Sequence, residues 1–436
     1  MRKVLATVVP VLALVAGVTF APAASATSNA GTPDTAFNAA VGNALNGGAV
    51  YAVAETPGGN IVVGGDLLGS LREFDSAGTE VTSFATNVGN SLDGNVFTVA
   101  VTTDEHIIVG GDFTGFLKEF DSTGNEVTSF TTNVGSTLGN RVYSVAVTTD
   151  GHIIVGGWFN GYLKEFDSTG TEVTSFTSNV ASTVGGNVYA VSPTQDGNII
   201  VGGDLRGSPL KEFDSTGTEV TSFTTNIGST LDGSVGTVAL TADGTIICGG
   251  DFTGFLKEFD STGTEVTSFT TNIGNSLDGT VNSVAVTADG NIAVGGSFTG
   301  RLKEFDSTGT EIAIFTTNVG SALDGAISEI AVTAAGDIVV GGWFATPAPA
   351  LAQFLGGSAS ASTGPTIPTA PLQAFAIRET DTCGPNAPES VNFPGLVNVQ
   401  STGWSKSWQQ WPNNGAGSFV CTRQPYYTTA ETWAVE

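Results

Sequence analysis

An all-β ring of seven blades, a seven-bladed β-propeller, is the architecture that the sequence predicts, and three observations predict it. First, an apolar run ending in a Gly-Gly pair recurs seven times. The first glycines are Gly64, Gly110, Gly156, Gly202, Gly249, Gly295 and Gly341, spaced 46 or 47 residues apart. A fixed period of this length marks one supersecondary unit used repeatedly. Second, each unit reads as four short strands punctuated by tight turns. Third, the fourth segment is offset by one unit, so that the N-terminus supplies what the last unit lacks.

One unit can be read through residues 142–181. Val142–Val147 is a first strand, Thr149-Asp150-Gly151 a turn, and His152–Gly157 a second strand. Trp158-Phe159-Asn160-Gly161 is a loop and Tyr162–Phe166 a third strand. Asp167-Ser168-Thr169-Gly170 is a hairpin turn with glycine free to take positive φ. Glu172–Thr177 is expected to be a fourth, more polar strand. The last unit stops after Ala350–Phe354, without a fourth strand. Its counterpart stands ahead of the first unit, at Asp34–Ala39. The phenylalanines Phe37, Phe84, Phe130, Phe176, Phe223, Phe269 and Phe315 keep the period. Closure by an N-terminal strand explains the offset and pairs edges that an open solenoid would expose. An open solenoid needs no such offset.

Composition agrees with many short strands and tight turns. Glycine contributes 59 of 436 residues, charged residues only 13%, and methionine one. Hydrophobic residues make up 40%, enough for a sizeable core and against a disordered tail. Residues 1–26 read as a secretory signal: Arg2 and Lys3, an apolar run from Val4 to Phe20, then Ala24-Ser25-Ala26 as a cleavage pattern. The protein is therefore expected to be secreted and extracellular, free or associated with the cell surface, with no membrane span. The net charge is −27, and loss of Arg2 and Lys3 makes it more negative by two. Phosphates would be repelled, which excludes nucleic acid and anionic membranes as partners. The charge reads as a solubility device, or as attraction for cations and basic partners.

Export permits disulfides. Cys383 and Cys421 flank one small C-terminal segment and are expected to pair. Cys248 stands where sister units carry valine, and reads as a buried small hydrophobe. His106 and His152 are the only histidines, which leaves no Cys/His metal cluster, and neither metal nor cofactor is expected. Both occupy turn-flanking positions and read as surface residues.

The run Val50-Tyr51-Ala52-Val53-Ala54, then Gly59-Asn60-Ile61-Val62-Val63-Gly64-Gly65-Asp66, then Leu71-Arg72-Glu73-Phe74 resembles bacterial delta-60 repeats, as does Pro33-Asp34-Thr35-Ala36-Phe37. The likeness covers about residues 33–355. The units depart from that family in carrying Leu-Lys-Glu-Phe where it has arginines and asparagines. The resemblance implies a β-propeller in exported or surface proteins. It implies no reaction and brings no catalytic residues.

The position after each Gly-Gly pair carries Asp66, Asp112, Trp158, Asp204, Asp251, Ser297 and Trp343. Four acids and two tryptophans on one rim could bind a cation or stack on a sugar ring, which makes Asp66, Asp112, Trp158, Asp204, Asp251 and Trp343 the candidate ligand-binding set. The competing reading has the acids capping the turns into Gly69, Gly115, Gly207 and Gly254, with tryptophan filling space. The Leu-Asp-Gly loops at Asp93, Asp232, Asp278 and Asp324 add acid but lack the alternating ligands of a calcium loop. The second position of the innermost strand is Tyr51, Phe97, Tyr143 and Tyr189 in units one to four, but Gly236, Asn282 and Ser328 in units five to seven. This asymmetry predicts an opening on one side of the ring, unless neighbours fill it. The Lys-Glu pairs of the third strands are expected to form exposed ion pairs of little worth.

No nucleophile elbow, phosphate-binding loop or His-Glu-x-x-His motif is present. Paired carboxylates arise easily among 41 acids and identify no glycosidase. Residues 356–371 form a Gly/Ser/Ala/Pro linker. After it, residues 372–436 read as a small β-rich module held by the Cys383–Cys421 bridge. Its Trp404, Trp408, Trp411, Tyr426 and Tyr427 build a miniature core or stack on sugars. The expected protein is a non-catalytic, monomeric binder of an extracellular glycan or protein. The alternatives are an extracellular glycosidase or lyase on a propeller, and a purely structural surface protein.

Overall fold

A computed structural model describes residues 29–45 and 47–356, together with the backbone of five strand segments between 390 and 435. The first of these regions contains seven three-stranded antiparallel sheets, one per unit, each ordered inner, middle, outer in chain order. In blade 1 these are Ala49–Glu55, Ile61–Asp66 and Leu71–Phe74. The middle strands are Ile/Val-rich and have no solvent-facing side. Ile153, Ile154 and Val155 are all buried, as are Ile61, Val62 and Val63. A strand covered on both faces reads as a continuous apolar run rather than an alternating one.

The Gly-Gly pair is explained by two close approaches. A Cβ on the first glycine would meet the inner-strand valine of the next blade: Val188 Cγ1 at 2.3 Å from Gly156, and Val142 Cγ1 at 2.3 Å from Gly110. A Cβ on the second would meet the backbone of its own inner strand, as at Gly65 with the Ala49 carbonyl at 2.0 Å. The seam between blades 7 and 1 has the same form, with Val50 Cγ1 at 2.3 Å from the Gly341 position. The ring is closed.

The expected fourth strand is not a strand. After each hairpin turn the chain makes one bridge, such as Phe166 with Glu172, and then a helix. The helices are α1 (Thr35–Val41), α2 (Thr82–Val88), α3 (Thr128–Val134), α4 (Thr174–Val180), α5 (Thr221–Ile227), α6 (Thr267–Ile273) and α7 (Ala313–Val319). Their apolar residues lie at helical spacing. Val173, Phe176 and Val180 turn one face toward the seam between blades 3 and 4, where Phe176 and Val180 join Ile154, Leu163, Ile199 and Phe213. Outward threonines are tolerated because their hydroxyls bond back to the preceding turn, as Thr86 Oγ1 does to the Thr82 carbonyl at 2.7 Å. A glycine ends most of these helices, Gly89 donating to the Ala85 carbonyl.

The N-terminal segment closes the ring as expected, but as a turn, one bridge and a helix. Pro33 bridges Phe354, and Asp34 N–H donates to the Gln353 carbonyl at 2.8 Å. The Asp34 carboxylate caps α1 by accepting from Ala36 and Phe37 N–H. Asn38 makes a reciprocal pair with the Gln353 backbone, at 3.1 and 2.8 Å, and this pair is buried. In other seams a helix asparagine bonds the next blade's hairpin turn, as Asn87 does to the Thr123 carbonyl. In the last, Asn318 reaches the Ala30 carbonyl at 2.7 Å. Residues 30–33 thus stand in for the hairpin turn that blade 7 lacks.

The outer-strand charges are not exposed pairs. Lys164 bonds Glu172 at 2.7 Å and Lys211 bonds Glu219 at 3.2 Å, with most of each side chain covered. The neighbouring glutamates Glu73, Glu119, Glu165, Glu212, Glu258 and Glu304 are buried. Cys248 is buried in the core of blade 5, and burial pushes its thiol up.

A second unit spans Thr363–Glu436. Its backbone forms one antiparallel sheet ordered Ser390–Phe393, Ala416–Cys421, Trp408–Asn413, and a separate pair, Val399–Ser401 with Trp433–Val435. The expected Cys383–Cys421 bridge, the side chains of Trp404, Trp408, Trp411, Tyr426 and Tyr427, most of the 356–371 linker and the 1–26 leader lie outside the described residues.

Two substitutions test the seams. Gly156→Ala drives a methyl into Val188, and chemical denaturation is expected to show a loss of about 1–3 kcal/mol. Asn38→Ala leaves the Gln353 amide and carbonyl short of a buried partner and is expected to cost about 1–3 kcal/mol. Equal midpoints for wild type and either variant would contradict this account of the seam concerned.

Candidate functional site

Every inner strand carries a β-bulge at its second apolar position, so one residue per blade falls out of the ladder. A bulge bends the strand and re-aims the extra side chain. The seven residues concerned are Tyr51, Phe97, Tyr143, Tyr189, Gly236, Asn282 and Ser328. Four of them are rings, on consecutive blades, and they touch in series. Tyr51 and Phe97 have centroids 5.6 Å apart, Phe97 and Tyr143 5.8 Å, and Tyr143 and Tyr189 5.7 Å. Trp343 of blade 7 extends the series, 6.4 Å from Tyr51. All pairs are tilted, a geometry favourable for aromatic quadrupoles.

The result is a crescent of five rings over blades 7, 1, 2, 3 and 4, at the Gly-Gly end of the inner strands. The bulge positions of blades 5 to 7 carry no ring. A Cβ on Gly236 would meet nothing nearer than two carbonyl oxygens at 3.9 Å. Asn282 turns its amide to the Ile327 carbonyl at 2.7 Å. At Gly236 no neighbouring side chain among the described residues takes the place of the missing ring.

The predicted rim residues separate. Trp343 is 62% exposed and belongs to the crescent, while Trp158 is 49% exposed on blade 3. Neither fills space in the core. Asp112 pairs with Arg141 of the next blade at 2.8 Å. Asp66 lies by Tyr51, whose phenol is raised by burial and by that carboxylate. Asp204 and Asp251 are exposed. None of Asp66, Asp112, Asp204 or Asp251 caps the turn beside it. That work falls to the Leu-Asp-Gly loops: Thr114 donates its N–H and hydroxyl to Asp93 at 2.7 and 2.6 Å, and Asp232 and Asp278 repeat this. The reason is reach, since a carboxylate 21 residues back faces the turn from the adjoining loop. No group of three His, Cys, Asp or Glu arranged to hold a metal occurs among the described residues.

Two residues were not singled out by the sequence reading. Arg141 is the only cation at the start of an inner strand, where other blades have Ala49, Asn95, Asn187, Ser234, Thr280 and Ala326. Glu329 replaces the alanine or hydroxyl residue found at this place in the other inner strands. In four blades that hydroxyl accepts an N–H from the next blade, as Ser283 does from Ile330 at 3.0 Å. Ser283 then donates to Glu329 at 2.9 Å. Burial pushes the Glu329 carboxyl up to about 7.

The opposite face is built from the Asp-Gly turns and the Asp-Ser-Thr-Gly turns. His106 and His152 are not free surface residues there. Their Nδ1 atoms lie 2.5 and 2.6 Å from Glu119 and Glu165. In other blades Asn60, Asn198 and Asn291 hold the equivalent glutamate.

No protein-family profile matches the chain, and no curated protein matches it. Among solved structures it is similar to the WD40 β-propeller domain of Doa1, at 14% identity and a TM-score of 0.49, covering 70% of this chain and 92% of that one. It is also similar to PorZ, a surface component of the type-IX secretion system of Porphyromonas gingivalis (16%, 0.48). That match covers 81% of this chain and 52% of PorZ, so the chain spans about half of its length. A third is streptogramin B lyase (10%, 0.45), covering 70% of this chain and 92% of the lyase. Among the described residues no helix is long and apolar enough to cross a membrane.

Glu329 generates a pH prediction. Its folded value, about 7, lies above the ordinary 4.5, so the folded state holds more protons between those values. Its contribution to stability is therefore full at low pH and is lost as pH rises through 7. The difference in melting temperature between wild type and Glu329→Gln is expected to shift in favour of the variant from pH 4.5 to 8. A difference constant with pH would contradict it.

Proposed function

We propose that this protein is an exported, non-catalytic binding scaffold, and that its propeller takes an extracellular glycan at the aromatic crescent. The carrying observation is the unbroken series of rings from Trp343 to Tyr189, ending at an open notch beside Gly236. Ring faces suit the C–H faces of sugars. Asp66, Asp204 and Asp251 nearby supply acceptors for hydroxyls, and their charge disfavours anionic ligands. The resemblance to delta-60 repeats supports export and adds no chemistry. The binder acts as a single chain, and the C-terminal aromatic residues serve as a second, surface-directed element.

Repeated acids at equivalent loops have a structural use, as Asp93, Asp232 and Asp278 do. An extracellular lyase or glycosidase therefore finds less support than a binder.

Glycan-array screening of the full chain, followed by titration of the best neutral hit, tests the reading. Trp343→Ala removes the most exposed ring and is expected to weaken binding about tenfold, the scale for losing one well-packed aromatic contact. Gly236→Tyr fills the notch without a clash at Cβ and is expected to weaken binding further with an unchanged melting temperature. Undiminished affinity in both variants would place the ligand elsewhere.

A further inference from the structure

On the face opposite the crescent, grooves open between blades. The groove between blades 2 and 3 holds about 970 Å³, that between blades 4 and 5 about 830 Å³, and that between blades 1 and 2 about 410 Å³. They are built alike. Each has a buried glutamate at its floor and a helix serine at its side: Glu119 with Ser129, Glu212 with Ser222, and Glu73 with Ser83.

The helix serine is the informative residue. Most positions shared by the repeats have a packing use: the glycines make room at the seam, the phenylalanine fills it, and the asparagine bonds the next turn. Serine at the second helical position recurs in α2 through α6, at Ser83, Ser129, Ser175, Ser222 and Ser268. All five are exposed, and none of their hydroxyls is hydrogen-bonded within the chain among the described residues. In α7 and α1 the position carries Ile314 and Ala36 instead. The helix forms with either, so neither fold nor seam demands the hydroxyl.

The floor carboxylates also have capacity to spare. Glu73, Glu119 and Glu212 each engage one oxygen, with Asn60, His106 and Asn198. The equivalent Glu304 of blade 6 faces the seam served by α7, outside these grooves, and there the second oxygen is fully buried with no partner.

Together these features describe clefts of mixed lining, with acceptors at the floor and hydroxyls at the side next to apolar surface. The acids repel anions, and acceptors beside apolar surface suit the hydroxyls and C–H faces of one ligand better than a wholly apolar one. The chemistry fits a neutral polyhydroxyl compound. We propose that the three grooves at the seams served by α2, α3 and α5 are separate, individually weak sites for neutral saccharide, so that one chain binds several sugar units on this face. This goes beyond the single site at the crescent and does not depend on it.

The test is calorimetric titration of the full chain, with cello-, malto-, xylo- and chito-oligosaccharides as probes. More than one equivalent of saccharide bound per chain is expected. Ser129→Trp and Ser222→Trp block two grooves at exposed positions, and circular dichroism melts verify that folding is kept. Each is expected to lower the stoichiometry by about one, and Trp343→Ala to leave these sites intact. A single site, no site, unchanged stoichiometry in the double serine variant, or binding of oligolysine in place of saccharide would overturn the proposal. Loss of all binding in Trp343→Ala would overturn it while leaving the crescent standing. Unaltered binding in Trp343→Ala with reduced stoichiometry in the serine variants would do the reverse.

Discussion

Everything in the propeller depends on how closely one blade lies against the next, and that distance is set by the absence of a side chain. The first glycine of each pair receives the inner-strand valine or isoleucine of the following blade, at a range no Cβ allows. The second glycine lets the inner strand crowd its own middle strand where the bulge occurs. Seven such contacts, Gly341 against Val50 included, turn a row of sheets into a ring. The helices fill what remains, each phenylalanine wedged between two blades with the hairpin-turn glycine of the next blade against its carbonyl.

Much of this was legible in the residues. The glycine and phenylalanine periods gave blade number, strand order and the offset that closes the ring. The segment around each phenylalanine was misread as a strand because threonine and valine favour strands. The evidence against that reading was in the spacing: Val173, Phe176 and Val180 follow a helical period, and the buried face obeys the spacing rather than the propensity. The outer-strand glutamates were misjudged for a related reason. Charge suggests exposure, yet each glutamate has a partner one strand away, Asn60 for Glu73 or His106 for Glu119. Such a pairing becomes apparent only once register is known.

The candidate sites lie where the seam leaves residues free to vary. Bulge positions fall out of their own ladder and lie clear of the Gly-Gly contact between blades, so aromatic, glycine, asparagine and serine all fit there. The contrast between Tyr51, Phe97, Tyr143 and Tyr189 and the small residues after them was visible in sequence. Their contact with Trp343 was not, because it joins blade 7 to blade 1 across the closure. The post-glycine acids were visible as well. Their partners, Arg141 for Asp112 and none of the adjoining turns for the others, follow from rim geometry that spacing alone does not encode.

Ring closure is tested most directly by hydrogen–deuterium exchange read at the N-terminal segment. In a closed ring, the amides of Gly31, Asp34 and Asn38, together with those of Gln353 and Leu355, are held by hydrogen bonds. They are expected to exchange as slowly as the middle-strand amides of an interior blade. Exchange of peptides covering residues 29–41 at the rate of an unstructured chain, with the interior blades still protected, would show an open array and contradict the account.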